Sequence, residues 1–137
     1  MTQYYAYKPN GQIVMTGECP DSMFHLQRVP EAQLAEGLAT IGVHYRGNDG
    51  QLRTIPPKPG ADYVFNYDTK EWARDPALAD QLARTARNEL LAASDWTQLP
   101  DVPLATKDAW ADYRQALRDI TGQPGYPLDI VWPIPPQ

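Results

Sequence analysis

"NELLAASDWTQLPDVPLATKDAWADYRQALRDITG", Asn88–Gly122, holds two helix-like stretches around a proline-containing connector, with Trp96 and Trp110 flanking it. Upstream, "RDPALAD" starts the first helix: Asp75 is a good N-cap and Pro76 suits the first helical position. That helix is expected from about Pro76 to Ala93. Leu78, Leu82, Ala86 and Leu90 make its apolar stripe, widened by Ala79 and Ala83. Ser94 and Asp95 suit a helix end or a new cap. For the second helix Thr106 is the expected N-cap, with Asp108 in the first turn. Trp110, Tyr113, Leu117 and Ile120 recur at i, i+3, i+7 and i+10, which puts them on one core-facing side. Asp108, Asp112, Gln115 and Asp119 fall opposite, and Gly122 is the stop. The connector Trp96–Lys107 is long for a simple pair of helices. Trp96, Leu99 and Val102 are the residues expected to hold it in place.

Working outward, residues 1–72 read as strand and turn. "YYAYKPNGQIVMTGEC" predicts a hairpin of Gln3–Tyr7 with Gln12–Gly17, since Asn10 and Gly11 tolerate the positive φ of a tight turn. "VHYRGNDGQLRTI" predicts a second hairpin across Gly47–Gly50. "DYVFNYDTKEW" predicts a third, turning at Asp68–Lys70, with Phe65 and Val64 on opposite faces. Between the first two, Leu34 and Leu38 are spaced as in a helix while Gly37 and Gly42 limit one, so that stretch stays open. The tail "QPGYPLDIVWPIPPQ" carries five prolines and is expected to be extended. Its Tyr126, Ile130, Val131 and Trp132 are expected to pack on the helices or on a partner. The expectation is an α+β chain: β hairpins over residues 1–73, then a two-helix module with a Pro-rich extended tail over 74–137.

Composition narrows the function. Fourteen prolines keep regular elements short. A net charge of −5 without a Lys/Arg cluster argues against nucleic acid as a partner. No apolar run reaches membrane-spanning length, and "MTQYYAYKPN" lacks the apolar stretch of a signal peptide. One cysteine, Cys19, cannot form an internal disulfide and fits a reducing compartment. His25 and His44 have no Cys, Asp or Glu at metal-ligand spacing, and no glycine-rich loop precedes a helix. The expectation is therefore no catalytic residues, no metal, no cofactor and no small-molecule substrate.

Tryptophan and arginine remain. Both residue types dominate binding hot spots, whereas Trp110, Tyr113, Leu117 and Ile120 read first as core. Arg114 and Arg118 lie beside the Trp110 face. An Arg114 paired with Asp95 serves equally well to fix the loop. The candidate partner-binding residues are Trp96, Arg114, Arg118, Tyr126 and Trp132.

Three blocks in order, "RNELLAASDWTQLPDVPL", "AWADYRQALRDIT" and "YPLDIVWPIPP", resemble the C-terminal domain of phage tail assembly chaperone and tail fibre assembly proteins. The matching positions are Arg87, Leu90, Leu91 and Ser94–Thr97, then Trp110, Tyr113, Arg114, Leu117, Arg118 and Asp119, then Tyr126, Pro127, Trp132 and Pro133. The strand–turn–Trp of "DYVFNYDTKEW" resembles the segment common upstream in these proteins. The resemblance implies a non-enzymatic phage protein that binds a tail fibre, itself a trimer, and promotes its folding, trimerisation or attachment. Its place is then the host cytoplasm during assembly. The alternative it leaves is a structural virion component that permanently caps a fibre or baseplate protein, at the fibre tip, and touches the host surface. The family carries no catalytic residues over to this chain.

Overall fold

The computed structural model describes residues 1–137. The chain is α+β, with seven short strands followed by two helices. It divides into two compact units: residues 1–59 with 64–73, and 60–63 with 74–137.

In the first unit, strands β1 (Thr2–Tyr7) and β2 (Ile13–Cys19) form the expected hairpin, with a bulge at Ala6/Tyr7. Only Gly11 takes the positive φ, +84°, and a Cβ there would lie 2.0 Å from the Arg46 carbonyl oxygen. Asn10 instead accepts the Gln12 amide on its side chain at 3.1 Å. The open stretch resolves as strand β3 (Gln33–Glu36), paired antiparallel with β1 in a sheet ordered β2-β1-β3, after a 3-10 turn at Asp21–Leu26. Leu34 sits half-buried opposite Ala6, and Leu38 is exposed beyond the strand. Their spacing therefore does not define a helix face. Pairing to a central strand outweighs a weak local pattern.

Strands β4 (His44–Arg46) and β5 (Leu52–Thr54) pair with each other, as do β6 (Tyr63–Asn66) and β7 (Glu71–Arg74). The core of this unit gathers Tyr5, Ile13 and Ala39, flanked by Tyr7, Ala35 and Leu52. Buried Phe65 meets Tyr45, Tyr67 and Trp72 at ring distances of 5.1–5.5 Å. Val64, one residue away, is exposed, as strand alternation requires. Lys70 closes the β6–β7 turn with φ 62°. Its ammonium group donates to the Asn10 and Tyr67 carbonyls.

In the second unit, helix α1 (Pro76–Ala93) starts at Asp75, whose carboxylate accepts the Ala77 and Leu78 amides at 2.9 and 3.3 Å. Its buried line runs through Ala79 and Ala83, while Leu82 and Leu90, expected at the centre of the stripe, stay more than a third exposed. The alanines face the tail: Ala79, Leu82, Ala83 and Ala86 line one cleft together with Pro127, Ile130 and Trp132. Small side chains let another chain segment come close, and the leucines are left at the flanks. Helix α2 (Leu104–Asp119) begins after Pro103, not Thr106. Pro103 has extended φ/ψ of −53° and 139°, and its carbonyl accepts the first intrahelical bond from Lys107 at 2.9 Å. A residue with fixed φ starts the helix without a side-chain cap. Thr106 thus lies within the first turn and Asp108 beyond it. Tyr113, Leu117 and Ile120 are buried as the spacing requires, and Trp110 is half-buried. Past α2, a short 3-10 turn at Ile120–Gly122 is followed by turns over residues 124–129, and residues 130–137 hold no regular element.

Candidate interaction site

The connector, expected as a partly ordered loop held by Trp96, Leu99 and Val102, is built on a 3-10 turn, Asp95–Gln98, locked between the helices by buried polar groups. Ser94 ends α1, and its hydroxyl lies 2.8 and 3.1 Å from the Leu90 and Leu91 carbonyls. Thr97, fully buried, donates to the Ser94 carbonyl at 2.6 Å. Gln98 donates to the Lys107 carbonyl at 3.2 Å and so ties the turn to the start of α2.

Arg114 completes this lock from α2. One guanidinium nitrogen donates to the Leu91 carbonyl at 2.6 Å and to the Ser94 hydroxyl at 2.8 Å. The other meets the Asp95 carboxylate at 2.7 Å. The last turn of a helix leaves its carbonyls without partners, and a cation placed there satisfies them and complements the dipole. Arg114 is only 11% exposed, so its donors are spent within the unit.

Trp96 projects from the same turn and is 53% exposed. Its ring lies 5.9 Å from Trp110, which meets Tyr113 edge-on at 5.5 Å. A chain of three aromatic rings thus runs from the buried side of α2 to the surface. Leu99 and Leu104, on the same connector and at its junction with α2, are also exposed. Arg118 is exposed, its guanidinium 3.5 Å from the Gln115 side-chain oxygen.

The tail is held by polar pins. The Tyr126 hydroxyl donates to Asp80. The Gln123 side chain makes a two-way pair with Val131, donating to its carbonyl and accepting its amide, both at 2.8 Å. Arg74 meets Asp62 at 2.8 Å and donates to the Leu128 carbonyl. Gly125 fits under Asp129, whose carbonyl oxygen would lie 2.5 Å from a Cβ at that position. The Arg84 guanidinium, and then the Tyr126 hydroxyl, hold the Asp80 carboxyl below the usual aspartate range. Burial, and then the bond to Asp80, push the Tyr126 phenol up. Trp132 lies half-buried in the cleft of about 300 Å3 between the tail and α1.

Residues 80–137 match the family model of the phage tail assembly chaperone protein. The matched span is less than half of the 137 residues, and it lies wholly in the second unit. No curated protein and no solved structure matches the chain. The match supports a role in phage tail assembly, with a phage tail protein as partner.

Within the matched segment, the residues that carried the resemblance divide by job. Ser94, Asp95, Thr97 and Arg114 lock the turn, while Tyr113 and Leu117 fill the core. Trp96 and Arg118 are left outward, and Tyr126 and Trp132 are half-covered by the tail contacts. The polar residues that sequence reasoning passed over as anchors are Thr97, Gln123 and Arg74. A threonine in a polar run and a lone glutamine carry no pattern that announces a buried role. The two histidines belong to the first unit. His44 accepts the Thr40 amide at 2.9 Å, and His25 contributes only its carbonyl, to Arg28. No three His, Cys, Asp or Glu side chains gather as metal ligands, and no helix is long and apolar enough to cross a membrane.

Proposed function

We propose that this protein is a tail fibre assembly chaperone that binds the fibre and promotes its folding, trimerisation or attachment. What carries the reading is the coincidence of the family match with a rigidly held, exposed aromatic surface. Trp96 stands half-open on a turn fixed by Arg114, Ser94 and Thr97, with Leu99 and Leu104 exposed nearby. A large ring held still loses little entropy on binding, and this favours it as a hot spot. Trp96 is the centre of the proposed surface, and Arg118, exposed further along α2, is its charged member. Tyr126 and Trp132 contribute through the tail, and Arg114 acts from beneath by fixing the turn.

The client's physics fits. Fibrous trimers rich in long-range β pairing form slowly and expose edges and apolar surface before they close. A protein that covers such a surface suppresses aggregation by mass action, with no catalytic step and no nucleotide. The work takes place in the host cytoplasm during assembly. Co-expression with the tail fibre protein, followed by size exclusion and SDS-resistance of the fibre trimer, tests this. Soluble trimer only in the presence of this protein, without later co-elution, is the expected result. Co-elution at a fixed ratio, with the protein found in purified virions, would make it a structural cap instead. Equal trimer yield without the protein, and no binding, would refute both readings.

A further inference from the structure

The two most exposed large aliphatic side chains of the chain are Ile134 at 88% and Val131 at 80%, both in the tail. They are placed in register. Ile130, Trp132, Pro133 and Pro136 are half-buried, while Val131, Ile134, Pro135 and Gln137 face water. A spacing of three is the one at which an extended polyproline II backbone would return side chains to the same ridge, about 9 Å apart. The ridge is held in advance. Gln123 binds both the amide and the carbonyl of Val131 at 2.8 Å. Pro133, Pro135 and Pro136 restrict the backbone that follows. The carbonyls of Trp132, Pro133, Ile134 and Pro135 take no hydrogen bond within the chain, and the three prolines have no N–H to offer. The segment is thus apolar on its outer edge, rich in free acceptors and poor in donors.

We infer that Val131–Pro136 is a second docking element whose Val131/Ile134 ridge seats in an aromatic-lined groove on the tail protein. The chemistry selects that partner. Flat aromatic walls accommodate a ridge of aliphatic and proline side chains. Trp and Tyr in those walls carry the N–H and O–H donors that the unspent carbonyls require. A strand-adding partner needs alternating main-chain donors, which the prolines remove. The tail protein as the occupant rests on the proposed function; the aromatic groove rests on the geometry of the ridge.

The test uses the full-length chain with the tail fibre protein as the probe. Val131→Asp with Ile134→Asp alters only exposed side chains, so the thermal melt should match the parent while affinity for the fibre falls about tenfold or more. Ile134→Ser, a milder change, guards against an effect on folding and should lower affinity in the same direction. A photo-crosslinking residue at position 134 should attach to a Trp- or Tyr-rich surface of the fibre. Unchanged affinity of both variants, or adducts on a second copy of this chain or on a surface without aromatic residues, overturns the ridge and leaves the chaperone reading standing. Failure of the unaltered chain to bind the fibre overturns both.

Discussion

Replacing Arg114 by alanine removes three hydrogen bonds at once, to the Leu91 carbonyl, the Ser94 hydroxyl and the Asp95 carboxylate. The three do not weigh equally. Asp95 is 69% exposed, and an ion pair open to water on one side contributes about 0–1 kcal/mol. The bonds to Leu91 and Ser94 come from a charged side chain mostly shielded from solvent, and such bonds are worth about 1.5–3 kcal/mol each. The Leu91 carbonyl is not orphaned by the change, since the Ser94 amide and hydroxyl lie 3.2 and 3.1 Å from it, so its share falls at the low end. Loss of the aliphatic stem adds to the total. The expected cost is about 3 kcal/mol, or roughly 12–24 °C in the melting temperature of a unit this small. Urea unfolding followed by tryptophan emission measures it. Trp96, Trp110 and Trp132 lie in the second unit and Trp72 in the first, so a Trp72→Phe background confines the signal to the unit that changes. Arg114→Lys keeps the charge but not the fork and should recover less than half of the loss. Asp95→Ala should cost under about 1 kcal/mol. An Arg114→Ala protein within about 0.5 kcal/mol of its parent would refute the view that this side chain locks the turn.

Trp96→Ala should destabilise the second unit by only about 1 kcal/mol, the scale of one aromatic pair, while weakening fibre binding by about 2 kcal/mol or more in a calorimetric titration. Gly125→Ala should cost more than about 1 kcal/mol in a urea melt, because the backbone oxygen of Asp129 lies 2.5 Å from the new Cβ. Gly11→Ala should unfold the first unit most readily, by about 2 kcal/mol or more, since it combines a left-handed φ with a clash at 2.0 Å on the Arg46 carbonyl oxygen. The Asp80 carboxyl is held low by Arg84 and Tyr126, so its contribution is present above the ordinary aspartate range and is lost as pH falls through the depressed value. Carboxyl NMR should place the Asp80 titration below that of a free aspartate, and Tyr126→Phe should move it back up.

Legibility differed sharply between local and tertiary features. The start of α1 was written in two adjacent residues: Asp75 accepts two first-turn amides, and Pro76 occupies a position whose missing N–H costs nothing. The core positions of the second helical stretch were equally plain, because Tyr113 and Leu117 on α2 and Ile120 in the 3-10 turn that follows keep the helical period and are buried. The start of α2 was misplaced at Thr106. A good capping residue was present, but Pro103 had already turned the chain into the helix. The α1 stripe was centred on leucines when the buried line is alanine, since the choice of buried face belongs to whatever packs against it. The open stretch around Leu34 became a strand because β1 had a free side to pair with.

The candidate site divides along the same line. Sequence by itself determined that an Arg, a Trp and a Ser-Asp-Trp-Thr block sit around a helix–helix connector, and that the tail could not be a helix. It also carried the three ordered blocks that resemble the tail assembly chaperone family. Only the tertiary structure decided which of these residues face inward. Arg114 and Arg118 sit four residues apart on one helix, yet one is spent on the end of α1 and the other stands in water. Trp96 and Trp110 touch, yet only the first is mostly open. The physical reason is that hydrophobic period and capping act over one turn of chain and can be read locally. The partner of a guanidinium, the face of a helix that is covered and the atoms a tail residue bonds depend on segments 23 to 54 residues away, as the Arg114–Leu91, Tyr126–Asp80 and Arg74–Leu128 contacts show.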